Sequence, residues 1–170
     1  VLPYKSTKAR VIARSVSEFF NNCILDKGSQ AGLKLSQPVI TPGGVVGRIV
    51  GLGPFAARVQ LITDRYAGVG AQLSDSRAYG EIKGTGQATC EMRNVSGLET
   101  VNLGEAIITT GLDGIYPKGL LVGYVEQVAA GSGAKNHEIT VRPAAGLDRL
   151  EEVLVLELTT QDLEIDETIK

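Results

Sequence analysis

Gly-Gly-Val-Val-Gly-Arg-Ile at 43–49 and Gly-Leu-Leu-Val-Gly-Tyr-Val at 119–125 are two copies of one pattern, a Gly-led apolar run with Gly47 or Gly123 at its centre. Each copy follows a proline turn, Thr41-Pro42-Gly43-Gly44 in the first case and Tyr116-Pro117-Lys118-Gly119 in the second. Each leads, after a short gap, to another β-rich run, at 58–63 and 138–142. Strand–turn–strand written twice indicates two similar β units. Two copies are too few for a solenoid, so a pair of small barrels packed together fits the pattern. Gly43, Gly47, Pro117, Gly119 and Gly123 are the expected turn and bulge positions, because glycine inside a strand marks a bulge or a close backbone approach.

The rest of the composition agrees. A chain of 170 residues holds one large domain or two small ones. Hydrophobic residues make up 43%, yet aromatics only 5% and Trp is absent, so the core must be built from Val, Ile, Leu and Ala. The 21 glycines have no short period, which excludes collagen-like sequence and suits many tight turns. Seventeen basic and 19 acidic residues are interspersed without a basic run, so the electrostatic footprint of a nucleic-acid binder is missing. No apolar stretch approaches the roughly 18 residues that span a bilayer. The chain opens on Val1 without Met or signal peptide and reads as a segment of a longer protein.

Apolar alternation bounded by Gly, Pro, Asp and Ser places strands at 9–14, 23–26, 38–40, 44–50, 58–62 and 69–73. A polar break at 73–77 separates these from 79–83, 87–93, 106–109, 120–128, 138–141 and 153–158. The expected class is all-β, with two small barrels of about six strands each. The first is assigned to 9–74 and the second to 75–160, strand exchange between the halves being left open. Residues 1–8 read as the end of a linker, 129–136 as a mobile Gly/Ser connector and 161–170 as a disordered acidic tail. Single helical turns are expected near 18–20, capped by Ser15 or Ser17, and within 147–152.

Paired barrels raise the trypsin-like proteases, whose chemistry needs an imidazole to take a serine proton and a carboxylate to hold that imidazole. The one histidine, His137, lies in the second half, where those enzymes place their serine, and no Gly-flanked serine elbow exists. His137 therefore reads as a solvent-facing loop residue. Glu151 and Glu152 are adjacent and point opposite ways if extended, while Asp64 and Asp75 suit loop capping. Cys23 and Cys90 show neither CxxC nor metal-ligand spacing. They read as buried apolar thiols or as a disulfide between the halves. Gly84-Thr85-Gly86 and Lys27-Gly28-Ser29 lack the context of a phosphate loop. No catalytic, cofactor-binding or metal-binding residue is expected. Phe55 and Tyr66 are rare aromatics in loops. They either fold back as lids on the barrel ends or contact a partner, and they are the candidate partner-binding residues. Tyr116 is expected to pack across the loop at 111–119.

In order, Ala9-Arg-Val-Ile-Ala-Arg14, Ile24-Leu-Asp-Lys-Gly-Ser29-x-x-Gly32, Gly43-Gly-Val-Val-Gly-Arg-Ile49 and Val59-x-Leu-Ile-Thr-Asp64 resemble the periplasmic β domain of the rod-shape-determining MreC family. The second half adds Thr109-Thr-Gly-Leu-x-Gly-x-Tyr-Pro-x-Gly-Leu120, Val141-x-Pro143-Ala144 and Leu147-x-x-Leu150-x-x-Val153. Thr110 stands where serine is expected. The resemblance covers about 9–158 and implies barrels shaped like those of trypsin-like proteases without their catalytic residues. It also implies a non-enzymatic, self-associating scaffold of the bacterial cell-elongation machinery, in the periplasm. There the family engages MreD and class B penicillin-binding transpeptidases, and through them links wall synthesis to MreB. A membrane helix and a coiled coil precede the β domain in this family. Partners would meet apolar β surfaces or unpaired strand edges. The alternatives are a degenerate trypsin-like periplasmic hydrolase, opposed by the misplaced histidine, and a small-ligand barrel, opposed by the lack of convergent polar groups.

Overall fold

The computed structural model describes residues 3–17, 20–159 and 162–163. The first repeat supplies β1 (Lys5–Val16), β2 (Asn21–Leu25), β3 (Pro38–Thr41), β4 (Gly44–Leu52), β5 (Ala57–Leu61) and β6 (Gly68–Leu73). The second supplies β7 (Tyr79–Gly84), β8 (Cys90–Val95), β9 (Ala106–Thr109), β10 (Leu121–Ala129), β11 (His137–Pro143) and β12 (Glu152–Glu157). These strands form two closed antiparallel barrels, in the orders β1-β12-β3-β4-β5-β2 and β10-β11-β8-β7-β6-β9.

The sixth strand of each repeat closes the other barrel. β6 sits between β7 and β9 in the second barrel, and β12 sits between β1 and β3 in the first. The division expected between residues 74 and 75 is corrected accordingly. Period-2 alternation identifies a strand and its buried face, but it carries no information about which strand lies alongside. The two repeats also share their irregularities. The ladder shifts by one residue between Val39 and Ile40 opposite Val46, and between Leu121 and Gly123 at Val122. It shifts again between Ile49 and Gly51 and between Val125 and Gln127. Such bulges bend and twist a strand, which lets a short sheet curl closed.

β1 is long because it serves two neighbours. Lys5–Arg10 pair with Glu157–Glu152, and Val11–Val16 pair with Leu25–Asn21 across a shift between Val11 and Ala13. The residues expected as a linker, 1–8, thus contribute Lys5–Lys8 to the first barrel, and Lys8 Nζ lies 3.1 Å from Glu152 on the surface. Their apolar signal was weak because the buried face of β1 over this stretch begins only with Thr7 and Ala9.

The core is aliphatic. Leu25, Val39, Val45, Ile49, Leu61 and Leu156 are fully buried in the first barrel, as are Leu73, Ile82, Met92 and Ile107 in the second. Each contributes about 1.5–3 kcal/mol of burial. Cys23 and Cys90 are free and completely buried, one in each barrel, so they are not bridged. Burial pushes the Cys90 thiol up to about 12, where Cys90 Sγ donates to Ile62 O at 3.3 Å. It pushes Cys23 up to about 11 against a smaller opposing effect of Arg14. A 3-10 turn at Ser29–Ala31 has no counterpart in the sequence reading. At 147–152 there is a hydrogen-bonded turn, with Arg149 N donating to Gly146 O at 3.0 Å, rather than a helical one. The helical turn expected near 18–20 falls largely on residues outside the described ones. Of the acidic stretch 161–170, Asp162 and Leu163 are described and half-buried; Asp162 Oδ2 accepts from Thr159 N at 2.7 Å.

Candidate interaction surface

The place of His137, the single histidine of the chain, contradicts the solvent-facing loop assignment. It opens β11 and is only 9% exposed. Its Nδ1 accepts from Gly131 N at 2.9 Å, and its Nε2 lies 2.7 Å from Glu99 O. That pair of partners requires the neutral ring with the proton on Nε2. Both ring nitrogens are engaged by backbone, so the side chain fastens two loops to the strand. Glu99 is far off in sequence, which is why composition around His137 suggested only a Gly/Ser connector. Among the described residues no cluster of three or more His, Cys, Asp or Glu is placed to hold a metal.

Three carboxylates likewise serve backbone. Asp64 is buried and accepts from Asn21 N and from Tyr66 N, each at 2.8 Å. Glu105, 5% exposed, accepts from Asp75 N at 3.0 Å, from Ser76 N at 3.4 Å and from Asn102 N at 3.3 Å. Asp113 accepts from Gly70 N at 3.1 Å, Ile115 N at 3.0 Å and Tyr116 N at 3.1 Å. Turn capping is legible in the sequence at Asp64 and not at Glu105. Asp113, one residue before Gly114, carries a turn signal.

The two repeat turns meet at the junction of the barrels. Pro42 and Gly44 share a small cleft with Gly119, Leu120, Leu121 and Leu154. A Cβ on Gly44 would stand 2.9 Å from Leu121 O and 3.1 Å from the Ala144 Cβ, so the close approach falls here rather than at Gly43, which is exposed with ordinary contacts. At the centres of the repeats, a Cβ on Gly47 would collide with the Gln60 carbonyl, and one on Gly123 with the Arg142 carbonyl. Gly119 has φ +91°, a left-handed value that suits glycine. Pro117 is buried, and its carbonyl accepts from Thr109 Oγ1 at 2.6 Å. Tyr116, expected to lie across the 111–119 loop, is 2% exposed within the core. Burial first, and Asp113 second, hold its hydroxyl well above the usual tyrosine range against the pull of Arg48.

The candidate partner-binding aromatics are both on the surface. Phe55 is 76% exposed in the β4–β5 turn and Tyr66 is 65% exposed after β5. They flank opposite ends of a strand that runs roughly 17 Å, so they do not form one patch. Tyr66 instead meets Phe20, ring centroids 6.2 Å apart and planes at 33°. Val16, at the end of β1, is exposed like Phe20. Local sequence suggests a helical turn at Phe20 and gives no sign of its contact with Tyr66, which is distant along the chain. Nearby, a groove of about 570 Å³ runs between the barrels, with Arg14, Val16 and Asn21 on one wall and Gln87, Arg142 and Leu147 on the other.

Twelve strands closed into two barrels, each completed by a strand from the other repeat, define a strand-exchanged double-β-barrel domain. The sequence model for rod shape-determining protein MreC, barrel core, matches residues 11–157, and the chain belongs to this family. It is 31% identical over 121 residues to the cell shape-determining protein MreC of Caulobacter vibrioides, covering 71% of this chain and 35% of that protein. It is 30% identical to MreC of Bacillus subtilis, covering 96% of this chain and 61% of that one. The chain thus spans between about a third and three fifths of these relatives' length. Among solved structures, MreC from Pseudomonas aeruginosa superposes with TM-score 0.85 at 28% identity, covering 91% of this chain and 99% of the other. The MreC chain of a complex between penicillin-binding protein PBP2 and MreC from Helicobacter pylori has the same fold, with TM-score 0.66 at 16% identity over 91% of this chain.

Proposed function

We propose that this chain is the periplasmic scaffold domain of a bacterial cell-elongation complex, with no catalytic activity of its own, and that it binds a class B penicillin-binding transpeptidase. The observation that carries this reading is the double barrel itself. It matches the MreC barrel core along nearly the whole chain, and a protein of that fold from Helicobacter pylori has been solved in complex with PBP2. The surface supports it. The lone histidine is occupied by Gly131 and Glu99, which speaks against the degenerate-hydrolase alternative, and the exposed large apolar side chains include Phe55, Tyr66 and Phe20. Such aromatics suit interface anchors.

In this reading MreD and, indirectly, MreB are further members of the complex, and the full-length protein self-associates. The bacterial inner membrane is reached through an N-terminal helix outside this sequence; among the described residues no helix is long and apolar enough to cross a membrane. The test is a pull-down from detergent-solubilised bacterial membranes with this chain as bait, read by mass spectrometry. Enrichment of the class B transpeptidase and MreD over a misfolded-bait control is expected. Absence of every wall-synthesis protein would leave the fold assignment without the function.

A further inference from the structure

Barrel closure pairs β1 on one side along its first half and on the other along its second, and this leaves a short open edge. The pairing of β1 with β12 ends at Arg10–Glu152, with one further bond from Val11 N to Glu151 O at 2.8 Å. Among the described residues, Ala13 to Val16 pair only with β2. The direction of the free groups follows from the ladder. Ser17 N donates to Phe20 O across the hairpin, at 2.9 Å. Alternation then turns the peptide groups of Ser15 and Ala13 toward β2 and those of Arg14 and Val16 away from it. Arg14 and Val16 are also the two β1 residues that line the groove between the barrels. The outward N–H and C=O groups of the edge therefore open into a cleft, and exposed backbone of this kind is a template for an added strand.

The surroundings select what such a strand should carry. Arg14 and Arg142 line the groove, and among the described residues no carboxylate pairs with either; Arg142 instead rests on the Tyr124 ring, 5.5 Å from its centroid. Among the described residues that line the groove, Asp148 is the one acidic residue. The exposed Val16, Phe20 and Tyr66 form apolar surface beside the edge. We infer that the β1 edge at 14–16 is a docking site for an extended segment of a partner protein. That segment carries alternating apolar side chains and a carboxylate that meets Arg14 and Arg142. Backbone hydrogen bonds give such a complex its affinity, and alternate side chains give it specificity. The inference goes beyond the scaffold reading and is decided by peptide binding alone, whatever a transpeptidase does.

The probe is a short capped peptide alternating Val and Thr with Glu at its centre, compared with versions bearing Gln or Lys there. A control of the same composition has its valines clustered. Binding to the intact chain is followed by fluorescence anisotropy, and the docking position by amide hydrogen exchange. The Glu peptide should bind about tenfold more tightly than the Lys peptide, which corresponds to 1.4 kcal/mol, and should slow exchange at Arg14 and Val16. Val16 stands opposite Asn21 in the β2 ladder, but its N–H points away from β2, so Val16→Pro removes only the outward donor, as proline on an open edge does. It should abolish binding at unchanged melting temperature, whereas Val16→Thr should preserve it. Should the proline variant unfold, Arg14→Glu provides the second arm and should reverse the preference toward the Lys peptide. No saturable binding, slowed exchange elsewhere, or equal affinity for the clustered control would overturn the inference. So would self-association of the chain that Val16→Pro or Arg14→Glu abolishes while no peptide binds, since the occupant would then be a second copy.

Discussion

At Gly47 a side chain has nowhere to go, because the Gln60 carbonyl that would meet its Cβ belongs to the β4–β5 ladder and cannot retreat without breaking pairing. Gly123 stands in the same relation to Arg142 on β11. Gly47→Val and Gly123→Val should each destabilise the chain by about 2 kcal/mol or more. Gly146→Ala, with no atom within 4 Å of the new Cβ, should be neutral. Chemical denaturation of the three variants checks this, and an unshifted midpoint for both valine variants would place these glycines on ordinary surface strand. The buried thiols give a second test at this scale. Cys23 and Cys90 are raised from 9.0 to about 11 and about 12, so the unfolded chain gives up these protons at lower pH than the folded one. Their contribution is whole below pH 9.0 and is lost as pH rises toward 11 and 12. Tyr116 is raised in the same sense, by burial. Stability should fall above pH 9.0, and Cys90→Ala should make that alkaline slope shallower. Denaturation series across this range give the answer; an identical slope in the variant would refute the assignment.

At the scale of elements, much was legible and the failures have a common cause. All twelve strands carry a local signature: alternation, bounding turn residues, and a Gly-led repeat whose two copies adopt matching bulges. What the chain does not encode locally is partnership. β6 and β12 read as members of the repeats in which they lie, and only packing assigns them to the opposite barrels. His137 follows a Gly/Ser run and reads as loop because Gly131 and Glu99, which enclose it, are identified by the fold alone. Phe20 was hidden similarly, since its neighbour Tyr66 is distant in sequence. The start of β1 is where this matters for stability. Removing residues 1–8 deletes the pairing of Lys5–Lys8 with Glu157–Leu154 and exposes one side of β12. Thermal melting should fall by about 5 °C or more, since 1 kcal/mol corresponds to about 2–4 °C in a domain of this size. A melting temperature unchanged by the truncation would mean that this part of the ladder adds nothing to the closed barrel.

For the whole molecule, the exchange of sixth strands ties the two barrels into one unit. Cross-barrel bonds reinforce it, among them Gly86 N donating to Thr63 O at 2.8 Å and Cys90 Sγ to Ile62 O. Tied together in this way, the barrels hold their loops and groove in fixed relation, which the proposed scaffold role would use. The net charge of −2 is spread over interspersed acids and bases, so long-range steering has little to act on. Recognition by exposed aromatics should therefore depend weakly on salt. The most direct measurement is the affinity of this chain for a purified class B transpeptidase, by titration at low and high salt, for wild type, Phe55→Ala and Tyr66→Ala. Circular dichroism serves as the folding control. The account predicts binding that changes by less than about tenfold with salt and that weakens by roughly tenfold on removing either aromatic from a folded chain. Affinity that collapses with salt, that ignores both substitutions, or that is absent altogether would contradict it.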